Sequence, residues 1–149
     1  MVQLAIYKER LYPSFSFSVA LALSGPMVFL AALPFGPQLA VPLGFVVPTG
    51  LLLTIYWLAP EIRVAEGQLK ADRISIPVSA LGDVVRLSKE EFSKALGPNA
   101  DPRAQLMIRG YVQTGVKIEV SDPDDPTPYL LLSSRKPEEL AVALDANRT

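Results

Sequence analysis

The sequence predicts an α+β chain in which a two-helix apolar hairpin precedes a small antiparallel-sheet domain closed by a C-terminal helix. Three observations predict it. Residues 11–60, between Arg10 and Glu61, contain no charged side chain. After Pro60 apolar and polar residues alternate at the two-residue period of half-buried strands. Beyond Lys136 a proline in the first turn is followed by helically spaced apolar residues. The chain therefore divides into a charged N-terminal tag at 1–13, a transmembrane hairpin at 14–59 and a soluble domain at 60–149.

Composition narrows the chemistry. The 149 residues carry a net charge of −1, with no cysteine and no histidine. Removing Lys8, Glu9 and Arg10, which together contribute +1, leaves the remainder two units negative. That balance argues against nucleic-acid binding, which relies on clustered cations to displace phosphate counterions. Without histidine the commonest general base and transition-metal ligand are missing, and Ser-His-Asp and Cys-His catalysis are excluded. Without cysteine there is no disulfide, thiolate nucleophile or thiolate zinc site. No cofactor is expected.

Taken in order, Lys8 and Arg10 stand just before the apolar block, with Tyr7 and Tyr12 where interfacial aromatics anchor a span. Residues 14–33 give ~20 apolar or small residues, enough at ~1.5 Å each to cross a ~30 Å hydrocarbon core. Gly25-Pro26 should kink this helix. Pro34-Phe35-Gly36-Pro37-Gln38 reads as a turn, and residues 40–58 as a second span closed by Tyr56 and Trp57. Pro42 and Pro48 make it irregular, with a re-entrant or strongly kinked segment as the alternative. Cations flank the block and are absent from its turn, so both termini are expected in the cytoplasm of a multi-pass plasma-membrane protein. A cleaved signal peptide fits less well, because the second apolar run follows within a few residues.

In the domain, Ile62 and Val64 flank Arg63, Leu69 sits between Gln68 and Lys70, and Ile74 and Ile76 flank Ser75. Glu66-Gly67 and Asp72-Arg73 are the expected turns. Further strands are expected at 83–87, 105–109, 116–120 and 129–133. Ser88 and Glu91 have capping-box spacing, opening a helix that stops near Gly97-Pro98.

Several segments carry a likeness to a known family. They are Tyr7-Lys8-Glu9-Arg10-Leu11, Ile76-Pro77 with Leu81-Gly82, and Gly97-Pro98 through Asp101-Pro102-Arg103-Ala104. The most specific is Asp122-Pro123-Asp124-Asp125-Pro126-Thr127-Pro128-Tyr129, followed by Ser133-Ser134-Arg135-Lys136-Pro137. On these the chain resembles, over nearly its full length, an uncharacterised family of actinobacterial membrane proteins described only as a domain of unknown function. The resemblance implies two N-terminal spans and a cytoplasmic domain similar to bacterial pleckstrin-homology-like (PH-like) folds.

Three sets of residues are candidates for function. An interaction loop is read at Asp101, Arg103, Asp122, Asp124, Asp125, Tyr129 and Arg135. The Asp122 to Asp125 carboxylates suit a hard cation in type but lack EF-hand spacing, and a rigid Asp-Pro turn is the stronger reading. A membrane-interface set comprises Tyr7, Lys8, Arg10, Tyr12, Tyr56 and Trp57, and Lys8 and Arg10 alone are too few for a lipid-specific site. Small residues Ser14, Ser18, Ala22, Ala40 and Gly44 could let the spans pack closely. No readily titrated group lies inside the spans, which argues against transport or proton relay. The expected function is a non-enzymatic membrane-anchored scaffold or accessory protein, partnered by the bilayer and by a membrane protein or a second copy. The alternative is a sensor of anionic lipid or a small ligand, with Arg103, Arg109 and Arg135 as phosphate contacts. An enzyme relying on Asp or Glu chemistry is the weakest reading, since nothing marks two facing carboxylates.

Overall fold

The computed structural model describes residues 7–98 and 100–148, and they form two units. The expected tag at 1–13 thus lies partly outside the described residues.

The helical unit spans Tyr12–Ala59. Its first arm is α1 (Phe15–Ala22) and α2 (Ser24–Ala32), and its second is a single helix, α3 (Pro37–Trp57). Ser14 caps α1 by accepting the Phe17 N–H at 3.3 Å. The break between α1 and α2 falls at Leu23, just before the Gly25-Pro26 pair at which the sequence expects a kink. Pro26 cannot donate to the carbonyl four residues back, Ala22, and its ring displaces it. The Ser24 hydroxyl donates to Leu21 O at 2.6 Å and satisfies one acceptor in the broken turn. A 3-10 turn (Leu33–Phe35) and Gly36, at φ 104°, reverse the chain. Proline at the first position of α3 suits a helix start.

Pro42 and Pro48 do not interrupt α3, which stays helical from Pro37 to Trp57. Pro48 lies at the contact between α3 and α2. Pro48 leaves the Gly44 carbonyl without its intrahelical donor. Gly25 of α2 packs onto that carbonyl so closely that a Cβ there would lie 2.7 Å from Gly44 O. The contact is reciprocal, since a Cβ on Gly44 would meet Gly25 O at 3.2 Å and Phe29 Cβ at 3.1 Å. Glycine is required at both positions for close approach.

The second unit, Leu11 and Pro60 onward with the strand before Leu11, holds two four-stranded sheets. The first is an antiparallel meander of β1 (Tyr7–Arg10), β2 (Glu61–Ala65), β3 (Gln68–Ala71) and β4 (Ile74–Pro77). Tyr7–Arg10 is therefore a strand and not a tag. It pairs with β2 in the register Lys8 to Arg63 and Arg10 to Glu61, extended by Leu11 N–H donating to Pro60 O at 3.0 Å. The two expected turns are present: Glu66 and Gly67 both take positive φ, 55° and 70°, as a two-residue hairpin demands. Asp72 does the same at 54°.

The second sheet has the order β5 (Leu81–Leu87), β7 (Gly115–Val120), β8 (Tyr129–Ser133), β6 (Gln105–Met107). Here β6 runs parallel to β8, so the sheet is mixed and not wholly antiparallel as the sequence suggests. Helix α4 (Lys89–Ala95) begins with the expected Ser88–Glu91 capping box. Gly115 lets β7 pass the Leu132 carbonyl and the Phe92 ring, with which a Cβ would collide. Helix α5 (Pro137–Ala146) buries Leu140, Ala143 and Leu144 in a core that also takes Ile62, Val64 and Leu69 from the first sheet and Val116, Ile118, Leu130 and Leu132 from the second.

Candidate functional site

The most connected polar cluster of the sheet unit lies on the inner face of β1. Alternation along Tyr7–Arg10 turns Tyr7 and Glu9 inward and Lys8 and Arg10 outward. Glu9 is only 9% exposed, and a carboxylate so placed needs donors. It has three: Tyr7 Oη at 2.7 Å and Ser134 Oγ at 2.6 Å on one oxygen, and the Arg135 backbone N–H at 2.9 Å on the other. Ser134 Oγ in turn accepts the Lys136 N–H at 3.0 Å, just ahead of α5. Burial pushes the Tyr7 phenol well above its ordinary value; Ser134 opposes this and the Glu9 carboxylate adds to it. Tyr7 is therefore a neutral donor at physiological pH. Its oxygen, the Ser134 hydroxyl and the Glu9 carboxylate all point at one another. As built, the cluster is a clamp between β1 and the β8–α5 connection.

Tyr7 is thus misplaced by its reading as an interfacial aromatic. It is 7% exposed, in the core of the sheet unit. Tyr12 and Tyr56 stack on each other in the helical unit, ring centroids 5.8 Å apart, and Trp57 is exposed. Lys8 and Arg10 both reach Glu61, at 3.3 and 3.4 Å.

The interaction loop read from sequence is only partly assembled. Tyr129 Oη accepts the Asp101 N–H at 3.0 Å, and Lys117 Nζ lies 4.3 Å from the centre of the Tyr129 ring. Arg103 closes a fork on Asp101 through Nε and Nη2, at 3.3 and 3.2 Å, and its backbone N–H adds a third bond at 2.9 Å. The Arg103 side chain and then its N–H hold the Asp101 carboxyl below the usual range. Asp122 and Asp125 serve as turn formers: Asp124 N–H donates to Asp122 Oδ1 at 3.0 Å, and Thr127 N–H to Asp125 Oδ1 at 2.8 Å. Thr127, side chain first, lowers the Asp125 carboxyl. Among the described residues no three His, Cys, Asp or Glu side chains gather to hold a metal ion. Arg135 is drawn instead into the Glu9 clamp through its backbone, and Arg109 pairs with Asp72 at 3.7 Å.

In the helical unit, the small-residue set divides. Ala40 is fully buried, Gly44 faces Gly25, and Ala22 lines an open apolar groove of about 490 Å³ with Pro26, Phe29, Phe45 and Thr49. Ser14 is a cap, and Ser18 donates back to Ser14 O at 3.1 Å while lying 3.5 Å from Tyr56 Oη. Gly25, missed as a packing residue, is visible in sequence only as the partner of a proline.

Residues missed altogether are Glu9 and Ser134. Both fall in segments that carried the family likeness, at opposite ends of the chain, and the fold brings those two segments into contact. No curated protein and no solved structure matches the chain. A family model matches residues 6–144, and the chain therefore belongs to the family described as "Protein of unknown function (DUF3093)".

Proposed function

We propose that the protein is a membrane-anchored, non-enzymatic scaffold or accessory subunit. The observation that carries this is the contrast between its units. Each of the two apolar helical segments, Phe15–Phe35 and Pro37–Trp57, is 21 residues long with only 11% of its apolar window buried in the protein. Surface of that kind is matched by lipid or by other membrane helices. In the sheet unit, by contrast, the buried carboxylate is held by three of the protein's own donors. On this reading the hairpin spans the plasma membrane with both termini cytoplasmic, in an actinobacterial cell, and the sheet unit is a PH-like domain facing the cytoplasm. Two sheets followed by a C-terminal helix support the PH-like reading. Its partner is a larger membrane protein or a second copy, docked along the exposed faces of the helices.

The anchor is tested by washing native membranes with alkaline carbonate and then treating sealed inside-out vesicles with protease. The expected result is a chain that stays in the pellet and loses its sheet unit to protease. Release into the supernatant, or protection of the sheet unit, contradicts it.

A second reading, sensing of anionic lipid, draws support from the outer face of the first sheet. Arg103 and Arg109 favour it less, since each has a carboxylate partner.

A further inference from the structure

The register of the first sheet places Lys8, Arg63, Lys70 and Ser75 in one row straight across its four strands. All four side chains are on the exposed face, opposite the core residues Ile62, Val64 and Leu69. Three cations in adjacent cross-strand positions oppose sheet stability, because like charges directly opposite repel. Arg10 adds a fourth on the same face, and Glu61, shared by Lys8 and Arg10, is the acid paired with them there. Arg63 and Lys70 have no ion-pair partner among the described residues. They line a shallow polar concavity of about 270 Å³ with Gln68 and Glu66. A surface that accepts this repulsion fits an anionic counterpart.

We infer that this row is a docking surface for the phosphates of anionic lipids in the leaflet that the sheet unit faces. The inference rests on the membrane-anchored reading. The row's charge complements a phosphate layer, and the chain runs directly from the row into the uncharged block. Lys8 is three residues before Leu11 and Arg63 three after Pro60, where the uncharged block begins and ends. At ~3.3 Å per strand residue that is ~10 Å of chain, comparable with the ~8 Å screening length at physiological salt. The row thus lies, along the chain, within electrostatic reach of a headgroup layer. A lone Lys8–Arg10 pair is too weak for lipid selection, but β2 and β3 bring Arg63 and Lys70 beside it. Near an anionic surface each such cation is worth roughly fivefold in affinity, so Arg63 and Lys70, which share no carboxylate, give about 25-fold, and Lys8, which shares Glu61, adds less.

The test titrates the purified full chain in neutral detergent with phosphatidylglycerol or phosphatidylcholine, reading bound lipid by native mass spectrometry. Wild type should prefer the anionic lipid at least tenfold, and Lys8→Gln/Arg63→Gln/Lys70→Gln should bring the two lipids level. A control of equal charge change elsewhere, Arg86→Gln/Lys89→Gln/Lys94→Gln, should keep the preference. Circular dichroism should show the triple variant folded, because its substitutions relieve repulsion, cost only the exposed Lys8–Glu61 pair and touch no core residue. Equal binding of both lipids by wild type overturns the inference, as does a preference that survives in the triple variant or vanishes in the control. Displacement of the lipid by millimolar inorganic phosphate would show a site for free anions and also overturn it. A chain that resists carbonate extraction yet shows no lipid preference refutes this surface alone, whereas extraction by carbonate refutes the anchor.

Discussion

Glu9 gathers the donors that tie the first described strand to the last helix. Replacing it with alanine leaves the Tyr7 and Ser134 hydroxyls and the Arg135 N–H facing a void. One unsatisfied buried donor costs about 1–3 kcal/mol, and the Tyr7 and Ser134 hydroxyls can partly compensate each other. Glu9→Ala should therefore destabilise the sheet unit by about 2–4 kcal/mol in chemical denaturation followed by circular dichroism, and Glu9→Gln by less, because it keeps an acceptor. Equal stability of Glu9→Ala and wild type would remove the clamp from the account. The sign of the Tyr7 shift agrees with this role. A phenol whose folded value is raised above about 10 contributes stability present below that pH and lost as pH climbs through it. The sequence hides Glu9 for a physical reason. An inward-facing carboxylate breaks the apolar alternation that announces a strand, so Tyr7–Arg10 looks like three charges after a tyrosine. Its partner Ser134 is a small polar residue among other small polar residues, and nothing local marks it.

At the scale of elements, the legible parts are those specified by neighbours in sequence. The Ser88–Glu91 box, the positive-φ turns at Glu66-Gly67 and Asp72, and proline at the start of α5 are local devices, and each stands where the sequence puts it. Parallel pairing of β6 with β8 depends on partners more than 20 residues apart and leaves no local mark. Pro42 and Pro48 leave α3 continuous as a helix, and Pro48 sits beside the close Gly25–Gly44 contact with α2. Close packing of Gly25 on the Gly44 carbonyl yields a prediction. Gly25→Ala should destabilise the helical hairpin by about 1–3 kcal/mol through overpacking, despite alanine's better helix propensity. Gly50→Ala, where a Cβ meets nothing within 4 Å, should be neutral or stabilising by up to ~1 kcal/mol. Thermal melts of the full chain in one detergent compare them. A Gly25→Ala chain that melts no lower than Gly50→Ala would contradict the close contact.

Across the whole molecule, the division into units is legible because some 50 residues without charge cannot be mistaken for a soluble strand domain. Where one unit ends is less so. The first sheet is built from chain on both sides of the apolar block, so the strand before Leu11 belongs with residues that follow Pro60. The sequence places a linear boundary where the fold uses a discontinuous one. Activity is not legible because the chain lacks the two residue types, histidine and cysteine, that most often advertise it. What is left is a unit with large exposed apolar faces and a unit whose buried carboxylate is held by three donors, and the proposed scaffold role rests on that contrast. The direct measurement is affinity purification of the full chain from native membranes in mild detergent, with the associated proteins quantified. The account predicts a stoichiometric membrane-protein partner or a defined oligomer that survives gel filtration. A strictly monomeric chain, free of partners under conditions that preserve other membrane complexes, would contradict it.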